Sequence, residues 1–155
     1  MENWKNDRIA SAVRGENPTV IAKMKSGFAV IGDTQFLPGY CVLLAYPKVS
    51  CLNDLSIIGR QTFLTDMTLI GDAITKICNP IRINYEILGN LDNFLHAHIF
   101  PRYEWEEESI RKGPVFKYPS ENWSLPEYQF CESKHGELKR ILTWTLNGLM
   151  NKSFE

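Results

Sequence analysis

The sequence predicts a single α+β domain in which an antiparallel sheet carries helices on one of its faces. Three observations support this fold class. The 155 residues are 44% hydrophobic and 23% charged, which is typical of one globular domain with its own core. Two pairs of strand-length apolar segments are each joined by turn residues. One longer segment repeats its apolar residues every three or four positions, as an amphipathic helix does.

The first part of the chain predicts a short helix and then a hairpin. Residues 7–13 have the apolar spacing of a helix, and a glycine follows that ends it. Apolar runs at 25–33 and 40–46 predict two antiparallel strands, with a Pro-Gly pair in the loop between them. Pro47 marks the end of the second strand, because proline cannot donate a hydrogen bond to a sheet.

The rest of the chain predicts a second helix, a second hairpin, a long loop and a last helix. Residues 56–78 carry the clearest helical period and end before an Asn-Pro pair. The runs at 81–88 and 94–103 predict two more strands, because the Gly, Asn and Asp residues between them favour a tight turn. The loop that follows has too many aromatic residues for a disordered segment, and the last helix spans about 137–149.

The overall charge and the apolar runs exclude several classes of function. The 17 Lys and Arg residues balance 18 Asp and Glu residues, which argues against a polymeric nucleic acid as partner. The longest apolar run covers residues 40–46, whereas a membrane-spanning helix needs about 20 residues. Residues 1–15 contain no apolar segment typical of a secretory signal, and the four cysteines form no CxxC pair. We therefore expect a cytoplasmic protein with buried thiols and no membrane partner.

Two of the three histidines, His96 and His98, lie in the strand predicted at 94–103. Side chains alternate along a strand, so both imidazoles share a face with Phe94 and Phe100, while the intervening residues are apolar and point to the core. Strand geometry places the two imidazoles about 7 Å apart. We expect the face that carries them to be the one not covered by the core.

Three interpretations of the histidine pair are open. The pair could have no chemical role, since a sheet surface tolerates histidines. It could bind a metal ion, which needs a third ligand such as His135, Cys131 or a distant carboxylate. It could also serve nucleophilic catalysis, in which a neutral imidazole attacks an electrophilic centre. The surroundings favour catalysis, because Asn90 in the preceding turn, together with Arg102 and Lys48, could bind an anion.

The segment GNLDNFLHAHIFPR, residues 89–102, resembles the signature of the histidine triad (HIT) family, HxHxHxx with apolar residues between the histidines. His96 aligns with the nucleophilic histidine of the family and His98 with the third histidine. Phe94 occupies the position of the first histidine, so the triad is incomplete. Asn90 matches the polar residue that contacts the phosphates in the family.

Upstream segments extend the resemblance to about residues 24–103, and the remaining residues 104–155 resemble the extension of diadenosine tetraphosphate hydrolase-like members. Tyr40 stands after the Pro-Gly turn, where the family commonly has a histidine. Asn84 resembles an asparagine that supports the site, and we assign it to phosphate binding with Asn90 and Arg102. The positions that hold the base and ribose in the family correspond to Phe28, Val30 and Asp33.

This resemblance implies an antiparallel sheet of about five strands in one domain, residues 1–155. It implies a nucleotide hydrolase or nucleotidyl transferase that acts at the α-phosphate of a dinucleoside polyphosphate or nucleoside phosphoramidate. The reaction would pass through a nucleotidyl intermediate on His96, with His98 as the second catalytic histidine. It would require no cofactor or bound metal, although Mg²⁺ could accompany the substrate, and the protein would be a homodimer. Phe94 leaves open the alternative of a non-catalytic nucleotide-binding module.

Overall fold

The structure is a computed structural model that describes residues 3–152. Its strands are β1 (Val20–Lys23), β2 (Gly27–Ile31), β3 (Cys41–Ala45), β4 (Arg82–Glu86) and β5 (His96–Arg102). Its α-helices are α1 (Arg8–Val13), α2 (Ile57–Cys78), α3 (Glu108–Arg111) and α4 (Glu132–Lys152). The strands form one antiparallel sheet in the order β1-β2-β3-β5-β4. The predicted α+β class and the sheet of about five strands are confirmed.

The two long helices, α2 and α4, pack together on one face of the sheet and enclose the main core. Alternate residues of the central strands supply the sheet side of this core, as period-two alternation requires. The side chains that are less than 2% exposed here include Ile31, Leu43, Ile99, Phe63, Ile70, Leu142 and Leu146.

Helix α2 has a defined beginning, end and attachment to the sheet. The Ser56 hydroxyl accepts a hydrogen bond from the Gly59 amide at its start. Asn79 ends it with a left-handed backbone (φ 49°), a conformation that asparagine tolerates. Asp66 is buried, and its carboxylate accepts hydrogen bonds from the amide and the hydroxyl of Ser26 at 2.8 and 2.6 Å. The turn between β1 and β2 is thereby held on the helix.

The opposite face of the sheet, which carries the histidines, is also covered, so the expectation of an uncovered face was wrong. Ile9 of α1 and the aromatic segment 115–128 form a second apolar cluster on it. Backbone hydrogen bonds of 2.7 Å from Gln35 to Tyr128 and from Phe130 to Asp33 hold this segment against the end of β2. The segment covers the sheet because its aromatic side chains bury a large apolar area there.

Several elements differ from the sequence prediction. The short helix α3 lies in the stretch that was expected to be a loop. Strand β1 was not predicted, because its four residues are too few to show a period. Helix α4 begins five residues earlier than the predicted 137, since Gly136 is buried within it instead of ending a loop. No helix within residues 3–152 combines the length and apolar character needed to cross a bilayer.

Candidate active site

The side chains of β5 alternate as predicted, and four rings form a row on one face of the sheet. The ring centroids are 4.8 Å apart for Phe94 and His96, 4.9 Å for His96 and His98, and 5.6 Å for His98 and Phe100. The imidazole separation is shorter than the predicted value of about 7 Å, because the two rings lean together edge to face. The two imidazole rings therefore lie next to each other on this face of the sheet.

The tautomer of His96 follows from a single hydrogen bond. The ring is only 7% exposed, and its Nδ1 atom lies 2.8 Å from the carbonyl oxygen of Phe94. A carbonyl can only accept a hydrogen bond, so Nδ1 must carry the proton. In the neutral ring the lone pair then resides on Nε2, which is the form a histidine nucleophile requires.

His98 is held in the opposite tautomer. Its Nδ1 atom lies 2.7 Å from the Tyr40 hydroxyl. Burial, with a contribution from His96, lowers the pKa of His98 to about 4, although Asp92 acts in the other direction. Burial also raises the pKa of Tyr40 far above its usual range. Both groups are thus neutral at pH 7. Because a phenol donates a hydrogen bond more readily than it accepts one, we assign the phenol as donor to Nδ1, which leaves the proton of His98 on Nε2.

A cavity of about 270 Å³ opens beside the histidines. The pairing of β3 with β5 places Leu44 opposite His96 and Val42 opposite His98, and both β3 residues line the cavity. Val30 and Ile31 of β2, with Phe94 and Trp123, also belong to the apolar part of the wall. The polar part of the wall includes Arg8, Asp33, Thr34 and Asp92. An apolar cavity with a few convergent polar groups is typical of a small-molecule site.

The loop between β2 and β3 positions Tyr40 and therefore His98. The buried Gln35 amide donates hydrogen bonds to the carbonyl oxygens of Gly32 and Tyr40 at 3.0 and 2.9 Å, and its oxygen accepts one from the Gly39 amide. A Cβ atom at Gly32 would lie 2.2 Å from the Tyr40 ring. Only glycine leaves room for the ring, so the loop and the tyrosine are packed as one unit.

The three residues predicted to hold the nucleoside occupy different environments. Val30 and Asp33 line the cavity with the histidines. The Asp33 carboxylate is held by Arg8 of α1 in a bidentate ion pair, with N–O distances of 2.8 and 2.5 Å. Phe28 does not line the cavity, because its ring packs against Tyr46 with centroids 5.7 Å apart.

The phosphate role predicted for Arg102 and Asn84 is not supported by their positions. The Arg102 side chain is buried, and its five N–H groups donate to the Glu106 carboxylate, the Asn84 side-chain oxygen and the carbonyls of Ile110 and Gly113. No N–H group of Arg102 remains for a phosphate, and neither Arg102 nor Asn84 lines the histidine cavity. The correction is that Arg102 anchors the segment after β5 by an internal ion pair.

Glu106 is the carboxylate partner of Arg102. Burial by itself raises the pKa of Glu106, but hydrogen bonds from Arg102, Tyr118 and the Tyr103 amide outweigh it and hold that pKa below its usual range. The carboxylate therefore stays ionised, and it ties β5 to the aromatic segment that covers the sheet.

The remaining predicted ligands lie outside the cavity. Asn90 is exposed in the turn between β4 and β5 and does not line the cavity wall. Cys131 and His135 pair with each other at the start of α4, where the Cys131 amide donates to His135 Nδ1 at 3.0 Å. Within residues 3–152 no three His, Cys, Asp or Glu side chains form a group that could hold a metal ion. The histidine pair has no described third ligand of the kind a metal site needs.

Sequence reasoning missed several residues of the cavity wall, Arg8 and Trp123 among them. Helix α1 places Arg8 in the cavity wall. In the sequence Arg8 is one charged residue in a short predicted helix, and nothing marks it as a site residue. Trp123 meets Tyr40 and Phe100 edge to face, with centroids 6.4 and 5.9 Å away. The aromatic content of its segment predicted order but did not indicate which ring would face the histidines.

The fold is that of histidine triad proteins, as solved structures show. No protein-family model matches the chain, and no curated protein matches it in sequence. A histidine triad protein from Sinorhizobium meliloti superimposes with a TM-score of 0.66 at 17% identity, covering 81% of this chain and 87% of the other.

Two further structures extend this likeness. A hypothetical histidine triad nucleotide-binding protein from Sulfolobus tokodaii has a TM-score of 0.68 at 13% identity, covering 92% of this chain and 93% of its own. The diadenosine triphosphate hydrolase of Plasmodium falciparum, solved with cyclomarin A, has a TM-score of 0.57 at 16% identity, covering 85% and 78%. At these identities the likeness establishes the fold.

Proposed function

We propose that the protein is a histidine triad enzyme that hydrolyses or transfers nucleotidyl groups through a covalent intermediate on His96. The observation that carries this proposal is the hydrogen bond from His96 Nδ1 to the Phe94 carbonyl, because it leaves a lone pair on Nε2 of a ring in the cavity wall. The fold shared with the diadenosine triphosphate hydrolase of Plasmodium falciparum supports the same class of reaction.

In this mechanism His96 is the nucleophile. Its Nε2 atom attacks the α-phosphorus and forms a P–N bond. With a polyphosphate, the P–O bond to the leaving group breaks and its electron pair stays on the departing oxygen; with a phosphoramidate, the P–N bond to the leaving group breaks and the departing nitrogen takes a proton from solvent. His98 donates its Nε2 proton as a hydrogen bond to a non-bridging oxygen, where negative charge accumulates. Water then attacks phosphorus and loses a proton to the solvent, the P–N bond returns its electron pair to Nε2, and a nucleoside monophosphate is released.

The cavity wall supports a nucleoside as the group next to that phosphate. Val30, Val42 and Trp123 offer an apolar surface to a base, and the Asp33 carboxylate can accept hydrogen bonds from ribose hydroxyls. Because Arg8 already binds Asp33, a ribose has to share this carboxylate with the guanidinium.

A non-catalytic nucleotide-binding module is the second candidate, and Phe94 is the observation that favours it. A phenyl ring cannot donate a hydrogen bond to a phosphate, so one donor of the triad is missing. The nucleophile and its tautomer do not depend on the Phe94 side chain, because His96 is held by the backbone carbonyl of that residue. We therefore favour the enzyme.

The proposal predicts an adenylate adduct on His96. We expect intact mass spectrometry, after rapid denaturation of the protein with diadenosine tetraphosphate or adenosine phosphoramidate, to detect one bound adenylate, and chromatography to detect released AMP. A thermal shift with AMP but no adduct and no product from either substrate would establish the binding module instead.

We further propose that the protein forms a homodimer through the exposed edge of β4. If two copies of β4 pair antiparallel about Asn84, Arg82 of each copy lies beside Glu86 of the other. This arrangement provides a partner for the buried Glu86 Oε2, which has no hydrogen bond within residues 3–152. It also covers the free edge of β4, whose outward backbone groups face no other strand within residues 3–152.

The dimer is tested by a charge exchange in β4. Sedimentation of the parent protein should give a dimer, Arg82→Glu should shift it to monomer through repulsion of two carboxylates, and adding Glu86→Arg should restore the dimer by reversing both pairs. If the parent sediments as a monomer, or if the double variant forms no more dimer than Arg82→Glu alone, β4 is not the interface.

A further inference from the structure

A second, smaller cleft of about 170 Å³ adjoins the histidine cavity. The two share three wall residues, Arg8, Asp92 and Phe94, so the cleft continues the cavity past the ring next to His96. Its cationic residues are Lys5, Arg8 and Lys48. We call it the basic cleft.

Lys48 is the cation of the basic cleft that is best placed to bind an anion. Its ammonium lies over the ring of Phe94, 5.3 Å from the centroid, and that ring packs against His96. Within residues 3–152 it forms no ion pair, whereas Arg8 binds Asp33 directly and Lys5 lies 4.0 Å from the same carboxylate. The positive charge of Lys48 is therefore available to a ligand.

Two carboxylates also line the basic cleft and limit where an anion can bind. Asp7 caps α1 and accepts a hydrogen bond from the Ala10 amide at 2.9 Å. Asp92 lies at the junction with the histidine cavity and forms no ion pair among the described residues. Like charges repel, so an anion is expected beside Lys48 and not beside Asp92.

We propose that the basic cleft binds the phosphates that extend beyond the α-phosphate, so that the substrates are nucleoside or dinucleoside polyphosphates in preference to phosphoramidates with a neutral leaving group. This inference rests on the proposed function, which places the α-phosphorus at His96. Phosphates on the leaving side then pass Phe94, which offers no donor, and reach the ammonium above its ring. Lys48 supplies at this position the charge that the phenyl ring lacks.

The test compares two substrates in the full-length protein. Lys48→Gln should lower the ratio of kcat/KM for diadenosine tetraphosphate to that for adenosine phosphoramidate by about tenfold, the usual effect of losing one bond to a charged group. Lys76→Gln is the matched control, because it removes the same charge from the exposed side of α2, on the other face of the sheet, and should leave the ratio unchanged. An unchanged ratio in Lys48→Gln would refute phosphate binding in the basic cleft, while the proposal that the protein is a hydrolase would stand.

A binding measurement separates this inference from the proposed function. If neither substrate is hydrolysed, the hydrolase proposal fails. Calorimetric titration with inorganic tripolyphosphate still tests whether the basic cleft binds an anion. About tenfold weaker binding by Lys48→Gln, with Lys76→Gln equal to the parent, would support an anion site. Equal binding by all three proteins would refute it.

Discussion

Replacing His96 with alanine is expected to lower kcat for nucleotide hydrolysis by about a thousandfold or more and to abolish the adenylate adduct. The reason is that the Phe94 carbonyl holds the proton of His96 on Nδ1 and leaves the Nε2 lone pair available for attack, and loss of a covalent nucleophile has effects of this size. Steady-state release of AMP from diadenosine tetraphosphate measures the first effect, and intact mass measures the second.

His135→Ala provides the matched control for this variant. His135 lies at the start of α4 and does not line the cavity, so its loss should leave kcat unchanged. If His96→Ala kept the parent rate, or if the adduct persisted on it, the nucleophile would have to be another residue and the proposed mechanism would be wrong.

Replacing Glu106 with glutamine is expected to lower the free energy of unfolding by about 3–5 kcal/mol. The Arg102 side chain is 3% exposed and that of Glu106 is fully buried, so the substitution leaves a guanidinium buried without its counter-charge. For a chain of this length such a loss corresponds to a decrease in Tm of roughly 10 °C, measurable by calorimetry or by urea denaturation.

Glu108→Gln is the control, because Glu108 forms an ion pair with Lys112 at the same i,i+4 spacing but on the surface. The two side chains are 67% and 70% exposed, and such pairs contribute about 0.5 kcal/mol or less. Equal losses from the two variants would mean that the Arg102 pair has no special structural role, and phosphate binding by Arg102 would again deserve a direct test.

Much of the fold was predictable because its signals are local. The alternation of β5 depends only on the two-residue period of a strand, and it correctly placed His96 and His98 on one face and the apolar residues between them in the core. The period of α2 depends on one helix turn and was equally clear. The four residues of β1 lie below the length at which such a period becomes visible.

The positions of individual site residues depend on contacts that no local pattern shows. Arg102 was assigned to phosphate because a cation near two histidines suggests an anion, but Glu106, only four residues away, occupies it. That spacing is visible in the sequence, although nothing local shows that the carboxylate would be buried. Phe28 lies on β2, as Val30 does, but outside the cavity, since the position of the wall depends on neighbouring strands.

The sequence by itself determined the fold class and the placement of His96 and His98 on one face of a strand, because both depend on residue identity and on the period of single elements. Tertiary structure alone decided which side chains contact His98 and Asp33. Tyr40, which is 58 positions from His98, sets the tautomer of that ring, and Arg8, 25 positions from Asp33, binds the predicted ribose ligand. Such contacts depend on distances between elements, which no local pattern encodes.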